Sequence, residues 1–213
     1  MTDKFDERVK EIVKNDIYER SLLPPRIIKK NIELKPELED LEAFKRLKHI
    51  HDDCGRFVKE GWNLNLYSKG VGNGKTSWAI KIMKNFIETY ACNWGNYDCL
   101  YISIPEFMAL SKDFSFEAQA EFRERCNRIK SYSLVIFDEL ASKHSTEFDE
   151  QLLLRLVNHR IDNGKSTIYT SNVLPQELKK LIGERLADRI VGAERTVNIE
   201  LKGGSRRKAT EFI

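Results

Sequence analysis

The sequence lacks the features of a membrane or secreted protein. None of its apolar runs approaches the roughly 18–20 residues that a bilayer-spanning helix needs. Its first residues (MTDKFDERVK) alternate charged side chains instead of opening an apolar signal segment. We therefore expect a cytoplasmic protein without a membrane partner.

Cysteine is also scarce, with four residues in a chain of 213 and no CxxC pair. A chain of this length can bury a core without disulfides, so we expect free thiols in a reducing compartment. The nearest approach to a metal cluster is HIHDDC at residues 49–54. On a helix its offsets of two and three residues point to different faces, so ordinary helix residues are favoured over a zinc site.

An excess of one charge is missing as well. The chain has 36 basic and 33 acidic residues, a net charge of +3, and the segment from Lys202 onward supplies that charge by itself. A nucleic-acid-binding role would therefore have to come from local clusters. With 41% apolar residues, the chain can nevertheless build a core and is not disordered.

Two parts of the chain differ in pattern. Apolar residues from Phe5 to Ile17 recur at spacings of three and four, which predicts an amphipathic helix that ends before Pro24-Pro25. We expect residues 1–35 to form a helical extension and residues 36–213 to form the main domain, which opens with a second helical stretch at about 36–59.

From residue 62 onward, short apolar runs alternate with longer helical ones. This alternation predicts an α/β fold with a parallel five-stranded sheet flanked by helices. The predicted strands are Asn63–Tyr67, Asp98–Ile104, Leu134–Phe137, Thr167–Thr170 and Thr196–Leu201. The predicted helices are Lys75–Tyr90, Pro105 to about Lys130, Phe148–Asp162 and most of Pro175–Ile190.

A glycine-rich turn, GVGNGKTS, joins the first strand to its helix. Alternating glycines let backbone N–H groups point at an anion, and the helix N-terminus adds its positive dipole. Lys75 can reach the β- and γ-phosphates of a nucleotide, and the Thr76 hydroxyl can bind Mg²⁺. The sequence departs from GxxxxGK[ST] at one position, because Lys69 stands where the motif has its first glycine. The less favoured alternative is a glycine-rich hairpin that binds nothing. The predicted nucleotide-binding residues are Gly70, Val71, Gly72, Asn73, Gly74, Lys75, Thr76 and Ser77.

Polar residues follow two of the predicted strands. LVIF runs into Asp138 and Glu139 about 60 residues after GKT, and TIYT ends in Ser171-Asn172. Asp138 can hold Mg²⁺ through a water, and Glu139 can polarise the attacking water. Asn172 can position that water or bind the γ-phosphate, although an Asn after a strand is often only a turn residue.

Four arginines near the C-terminus have two interpretations. Arg185 and Arg189 lie four residues apart, so they share one helical face. That face is either merely solvated or reaches the nucleotide of a neighbouring subunit. Arg206 and Arg207 could contact the nucleotide of their own subunit or a DNA backbone.

The order GVGNGKT, LVIFDE, TIYTSN, GERLADRI and SRR resembles the AAA+ ATPases of the DnaC/DnaI type, the bacterial and phage loaders of the replicative helicase. The resemblance, from about Leu22 onward, implies an AAA+ core without a full lid domain that binds ATP and Mg²⁺. Lys75 and Thr76 match the Walker A pair, Asp138 and Glu139 the Walker B pair, and Asn172 sensor 1. Arg189 matches the arginine finger, with Arg185 as the other candidate, and Arg206 matches sensor 2.

The resemblance also implies macromolecular partners: a hexameric helicase, single-stranded DNA, and a second copy that receives Arg189 in trans. A charged amphipathic helix is slightly favoured over a DNA path at 105–130, for which Phe107, Phe114 and Phe116 could stack on bases. Cellular loaders carry a larger N-terminal domain, so this compact chain would suit a phage or mobile element. The charged residues of the candidate DNA path are Lys112, Arg123, Arg125, Arg128 and Lys130.

Three functions share this sequence pattern. The first is a helicase loader with a weak, regulated ATPase, in which ATP binding and hydrolysis switch between assembly and release. The second is a transposition ATPase that delivers target DNA to a transposase. The third is a binding module whose nucleotide site is only structural or that inhibits the host helicase.

Overall fold

The computed structural model describes residues 2–94, 97–141 and 145–206. Its sheet has the five predicted strands, all parallel, in the order β2-β3-β4-β1-β5. The strands are β1 (Asn63–Tyr67), β2 (Cys99–Ser103), β3 (Leu134–Leu140), β4 (Ser166–Ser171) and β5 (Thr196–Glu200).

Helices cover both faces of this sheet. Those before β2 are α1 (Thr2–Arg20), α2 (Pro25–Ile28), α3 (Leu41–Asp52), α4 (Cys54–Lys59), α5 (Lys75–Phe86) and α6 (Cys92–Trp94). A 3₁₀ turn (Leu38–Asp40) precedes α3, and a wide π-type turn (Ile87–Ala91) extends α5. Those after β2 are α7 (Ile104–Ser111), α8 (Phe116–Ser131), α9 (Glu147–Asp162), α10 (Pro175–Ile182) and α11 (Glu184–Gly192).

Alternation along the strands divides the core into two layers. In β3, Leu134 and Ile136 pack in the layer with α1, α3, α4 and α5, whereas Val135 and Phe137 pack in the layer with α7 to α11. The strands β2, β3 and β4 contribute side chains to both layers, as expected for a buried parallel sheet, whereas β1 and β5 contribute apolar side chains to the first layer only. No helical lid follows β5 in the described part of the chain, which ends at residue 206.

The predicted helix at 105–130 is interrupted. Residues 112–115 form a turn between α7 and α8, where the Ser115 hydroxyl accepts the Ala118 N–H as the N-cap of α8. Phe107 is fully buried with its ring centroid 5.2 Å from that of Phe122. The prediction that Phe107 is available to stack on a base is therefore wrong, because the ring belongs to the core.

The N-terminal segment packs on the same core. Ile17, Tyr18 and Leu23 are buried in the layer that contains α5, and the N–H of Tyr101 in the edge strand β2 donates to Ser21 O at 2.7 Å. Ile12, nearer the start of α1, is 68% exposed. No helix of the described residues is long and apolar enough to cross a bilayer.

Arg160 is a buried charge that sequence patterning does not reveal. Its guanidinium is completely buried and donates to the Thr167 hydroxyl and to the carbonyls of Ile129, Tyr132 and Ser166. Burial lowers its pKa to about 9, so the group stays charged at neutral pH. It ties the end of α8 to the start of β4.

Candidate nucleotide-binding site

The glycine-rich turn lies where β1 ends and α5 begins. Gly72 and Gly74 have φ values of +80° and +99°, a left-handed conformation that glycine adopts without strain. The helix starts at once, since the Trp78 N–H donates to Gly74 O at 2.8 Å. Lys69 is exposed, so the missing first glycine does not prevent the turn from forming.

Lys75 points back into the turn. Its Nζ donates to Ser68 Oγ at 2.6 Å, to Gly70 O at 2.9 Å and to Asn73 Oδ1 at 3.0 Å, and the residue is 6% exposed. Burial lowers its pKa to about 8, and the charge of Asp138 opposes that shift. An ammonium group held inside a glycine-rich turn fits the phosphates of a nucleotide.

Asn73 fixes the turn from the side of β5. It is 1% exposed, and its Nδ2 donates to Leu201 O at 3.2 Å while its Oδ1 accepts from Lys75. The other predicted positions, Gly70, Val71 and Ser77, belong to the same turn and first helical turn, with Val71 63% exposed.

Asp138 lies opposite the turn at the carboxyl end of β3. Its Oδ1 accepts from Thr76 Oγ1 at 2.8 Å and from Thr170 Oγ1 at 2.5 Å, and its Oδ2 accepts from Tyr101 OH at 2.7 Å. Burial, together with this carboxylate, raises the pKa of Tyr101, so the phenol remains a donor. The Thr76 hydroxyl and Asp138 carboxylate are oxygen ligands that suit Mg²⁺.

Glu139 has an unusual backbone. Its φ is +59°, and the β3–β4 pairing is irregular between Phe137 and Leu140. The strand β3 extends to Leu140, beyond its predicted end at Phe137. The Glu139 N–H donates to Thr170 Oγ1 at 3.1 Å, while the residue itself is exposed. Left-handed geometry in a non-glycine residue is strained and is often found at functional sites.

Sequence reasoning missed the hydroxyl groups around Asp138. Tyr101 lies on β2 and Thr170 on β4, so the two strands beside β3 each supply one partner of its carboxylate. Polar residues near the carboxyl ends of neighbouring strands were the available signal. Asn172 follows β4 and is exposed, with no hydrogen bond of its side chain among the described residues.

Arg206 reaches the turn through its backbone. Its N–H donates to Gly72 O at 2.9 Å, whereas its guanidinium donates to Lys35 O at 2.9 Å and to Asp40 Oδ2 at 3.3 Å. The side chain thus lies beside the turn but is paired with the segment before α3. Arg207 lies outside the described residues.

The other predicted residues lie on α11, on α8 and in the turn before α8. Arg185 and Arg189 are exposed on α11, and neither makes a hydrogen bond or ion pair within the part of the chain that the structure describes. At the candidate DNA path, Arg125 and Arg128 pair with Glu121 and Glu124, and Lys112 pairs with Asp149 at 3.0 Å; Arg123 and Lys130 are exposed.

The sheet order and the site at its carboxyl edge define a P-loop fold of the AAA+ type. Its similarity to solved structures agrees with this class. A crystal structure of the DnaC helicase loader superposes with a TM-score of 0.65 at 16% identity, covering 83% of this chain and 99% of that one. AMPPCP-bound DnaA from Aquifex aeolicus gives a TM-score of 0.63 at 20% identity, covering 85% of this chain and 51% of that one.

The particular resemblance, to the DnaC/DnaI type, is confirmed by curated relatives. The replicative helicase loader DnaI of Bacillus subtilis (strain 168) is 23% identical over 67% of this chain and 44% of its own length. The replicative helicase loader DnaC of Escherichia coli (strain K12) is 23% identical over 59% of this chain and 49% of its own length. The chain therefore spans about half the length of these relatives. No family model matches the chain.

Proposed function

We propose that this protein is an ATP-dependent loader that places a hexameric replicative DNA helicase on single-stranded DNA. The observation that carries the proposal is the convergence of Lys75, Thr76, Asp138 and Glu139 at one edge of the sheet. The curated relatives, which are named as replicative helicase loaders, support the choice of partner.

The chain's own residues have distinct roles in this proposal. Lys75 binds the β- and γ-phosphates, while Thr76 and Asp138 hold Mg²⁺, which neutralises phosphate charge when bound. Glu139 accepts the proton of the attacking water, and Asn172 helps to position that water. Arg206 lies beside Gly74, where a Cβ added to that glycine would lie 3.7 Å from the Cδ of the arginine. Its guanidinium would contact the nucleotide by leaving Lys35 O and Asp40.

Assembly between subunits requires a residue that leaves its own domain. Arg189, exposed on α11 with no partner among the described residues, supplies this group to the nucleotide of a second copy. Arg185, one turn earlier on the same helix, is the alternative finger. ATP bound between copies would then hold the assembly, and hydrolysis would release it.

Single-stranded DNA would contact the turn before α8 and one face of that helix. Phe114 and Phe116 are 90% and 80% exposed, which suits stacking on bases. Phe116, Arg123 and Lys130 are spaced by seven residues, so they follow one another along one face. The acid-paired Arg125 and Arg128 and the Asp149-paired Lys112 contribute less charge to this surface.

The partner is tested by retention of purified replicative helicase on the immobilised protein, with and without ATP. We expect wild type to retain helicase in a nucleotide-dependent manner and Lys75→Ala to lose that dependence. Lys59→Ala, which removes an exposed lysine of α4, serves as the matched control. Failure of wild type to retain helicase, or retention of a transposase in its place, would overturn the proposal.

The role of hydrolysis needs a separate assay. Glu139→Gln should reduce ATP turnover by about 10²-fold or more, because general bases contribute about 10²–10⁴. It should also leave helicase bound after loading. Glu194→Gln, at another exposed position, should behave like wild type. A protein that acts without turnover, such as an inhibitor, would be equally effective as the Glu139→Gln variant.

A further inference from the structure

A basic groove lies away from the nucleotide turn, between the chain that follows α2 and the outer side of α5. Its volume is about 360 Å³, and four lysines line it together with His51 of α3. Lys29 and Lys30 come from the segment after α2, and Lys81 and Lys84 come from α5.

Backbone carbonyls hold two of these lysines in place. Lys81 Nζ donates to Ile32 O at 2.8 Å, and Lys84 Nζ donates to Ile28 O at 2.7 Å and to Lys30 O at 3.0 Å. An ammonium group has three donors, so both lysines keep at least one for a ligand. Their charge is thus fixed at the groove, and no carboxylate of the described residues pairs with either ammonium group.

The other two lysines are free. Lys29 and Lys30 are exposed, and no ion pair or side-chain hydrogen bond of theirs is found among the described residues. Glu88 is the one acid among the described lining residues, and it already accepts from Tyr18 OH at 2.6 Å. The groove therefore has four ammonium groups and one carboxylate, a local excess of positive charge that attracts anions. The whole chain has a net charge of only +3, so this excess is a feature of the groove.

We propose that this groove binds the sugar–phosphate backbone of single-stranded DNA. Lysines act as point charges on phosphate, and the groove has neither an arginine fork nor a Phe, Tyr or Trp ring among its described lining residues. It therefore suits contacts that are independent of base sequence. The choice of DNA over other polyanions rests on the proposed replication role.

This contact is separate from the surface on α8. The α5 helix packs on one face of the sheet through Ile82 and Met83, and α8 packs on the other through Ile129. The groove thus gives each subunit a second contact with single-stranded DNA, and this contact is purely electrostatic.

The test measures binding of a fluorescent oligothymidylate by anisotropy over a range of salt, without nucleotide or helicase. The affinity K falls with rising salt, and the steepness of log K against log salt should be smaller by about 1.4 in Lys29→Ala/Lys30→Ala. Each of the two lost phosphate contacts to a single strand contributes about 0.7. The double variant Lys179→Ala/Lys180→Ala removes the same charge from exposed positions on α10. Its salt dependence should stay closer to that of wild type than the salt dependence of Lys29→Ala/Lys30→Ala.

Equal slopes for the two double variants would overturn the proposal. Inorganic tripolyphosphate is titrated in parallel, and a loss confined to tripolyphosphate binding would also overturn it, in favour of a small-anion site. Since both lysines are exposed, unchanged thermal unfolding is expected to show that the fold is intact. The assay contains no helicase and no ATP, so its outcome is independent of whether loading itself is observed.

Discussion

The Thr170 hydroxyl joins the two carboxylate residues of the candidate site. It donates to Asp138 Oδ1 at 2.5 Å and accepts the Glu139 N–H at 3.1 Å, with the residue 2% exposed. Thr170→Val keeps the shape of the side chain and removes both hydrogen bonds. Asp138 would retain Thr76 and Tyr101 as partners, so its charge would not be left alone.

The expected cost follows from these two bonds. A hydrogen bond to a charged group contributes about 1.5–3 kcal/mol and a neutral one about 1 kcal/mol, so the total loss should be about 2.5–4 kcal/mol. For a chain of this size each kcal/mol shifts Tm by about 2–4 °C, which gives a decrease of roughly 5–16 °C. Thermal unfolding followed by circular dichroism measures this directly.

The same change should affect turnover more than binding. Without Thr170 the strained Glu139 backbone loses an anchor, and displacement of a reacting group by about 1 Å can cost about 10²-fold in rate. We expect ATP hydrolysis to fall by about 10- to 100-fold, whereas nucleotide affinity, set by Lys75 and its turn, should change little.

Ser171→Ala provides the control for this prediction. Ser171 follows on the same strand, and its hydroxyl donates to Val173 O at 3.1 Å instead of to Asp138. The control should therefore retain wild-type turnover. If Thr170→Val has the same Tm as wild type and hydrolyses ATP at the same rate, the hydroxyl does not organise the site.

Three further predictions concern charged residues. Because burial lowers the pKa of Lys75 to about 8, most of the free protein carries a neutral amine at pH 9, and a bound triphosphate must restore the proton. Nucleotide affinity should fall from pH 7 to pH 9, and binding at pH 9 should take up a proton. Calorimetry in buffers of different ionisation enthalpy measures both, and an affinity that does not change with pH contradicts the prediction. Arg189→Ala should lose turnover but regain it when mixed with Lys75→Ala, whereas Arg185→Ala should hydrolyse ATP normally, and the opposite result would make Arg185 the finger. Arg160→Met should lose about 3 kcal/mol of stability or more, seen as a lower denaturation midpoint, because several buried carbonyls lose their donor; an unchanged midpoint would show that those carbonyls need no donor.

Local pattern was sufficient to predict the strands and the turn. NLNLY coincides with β1, and LVIF forms the first four residues of β3, because short apolar runs bounded by turn residues indicate buried strands. GNGKT predicted the turn and the start of α5, since glycine conformation and helix polarity are local properties. The placement of Lys75 and Asp138 near one another follows from these elements and the rule for parallel sheets.

Contacts between distant segments could not be predicted in the same way. Arg160 lies among charged residues of an amphipathic helix, and only its acceptors on α8 and β4 explain its burial. Phe107 and Phe114 are the same residue type in the same stretch of the sequence, yet one is buried and the other is 90% exposed. The difference is made by α8, which packs over Phe107 and leaves the turn before it uncovered.

The apolar positions of α1 are buried near the end of the helix and exposed nearer its start. Ile17 and Tyr18 are buried, and just after the helix Ser21 O accepts the N–H of Tyr101 in the edge strand β2, which satisfies one backbone donor of that edge. Ile12 and Val9, in contrast, are 68% and 42% exposed. Because the second half of α1 is fixed to the core, the first half projects its apolar positions from a rigid base. A partner that docks there would be held at a defined place relative to β2, without the entropy cost of ordering a flexible tail.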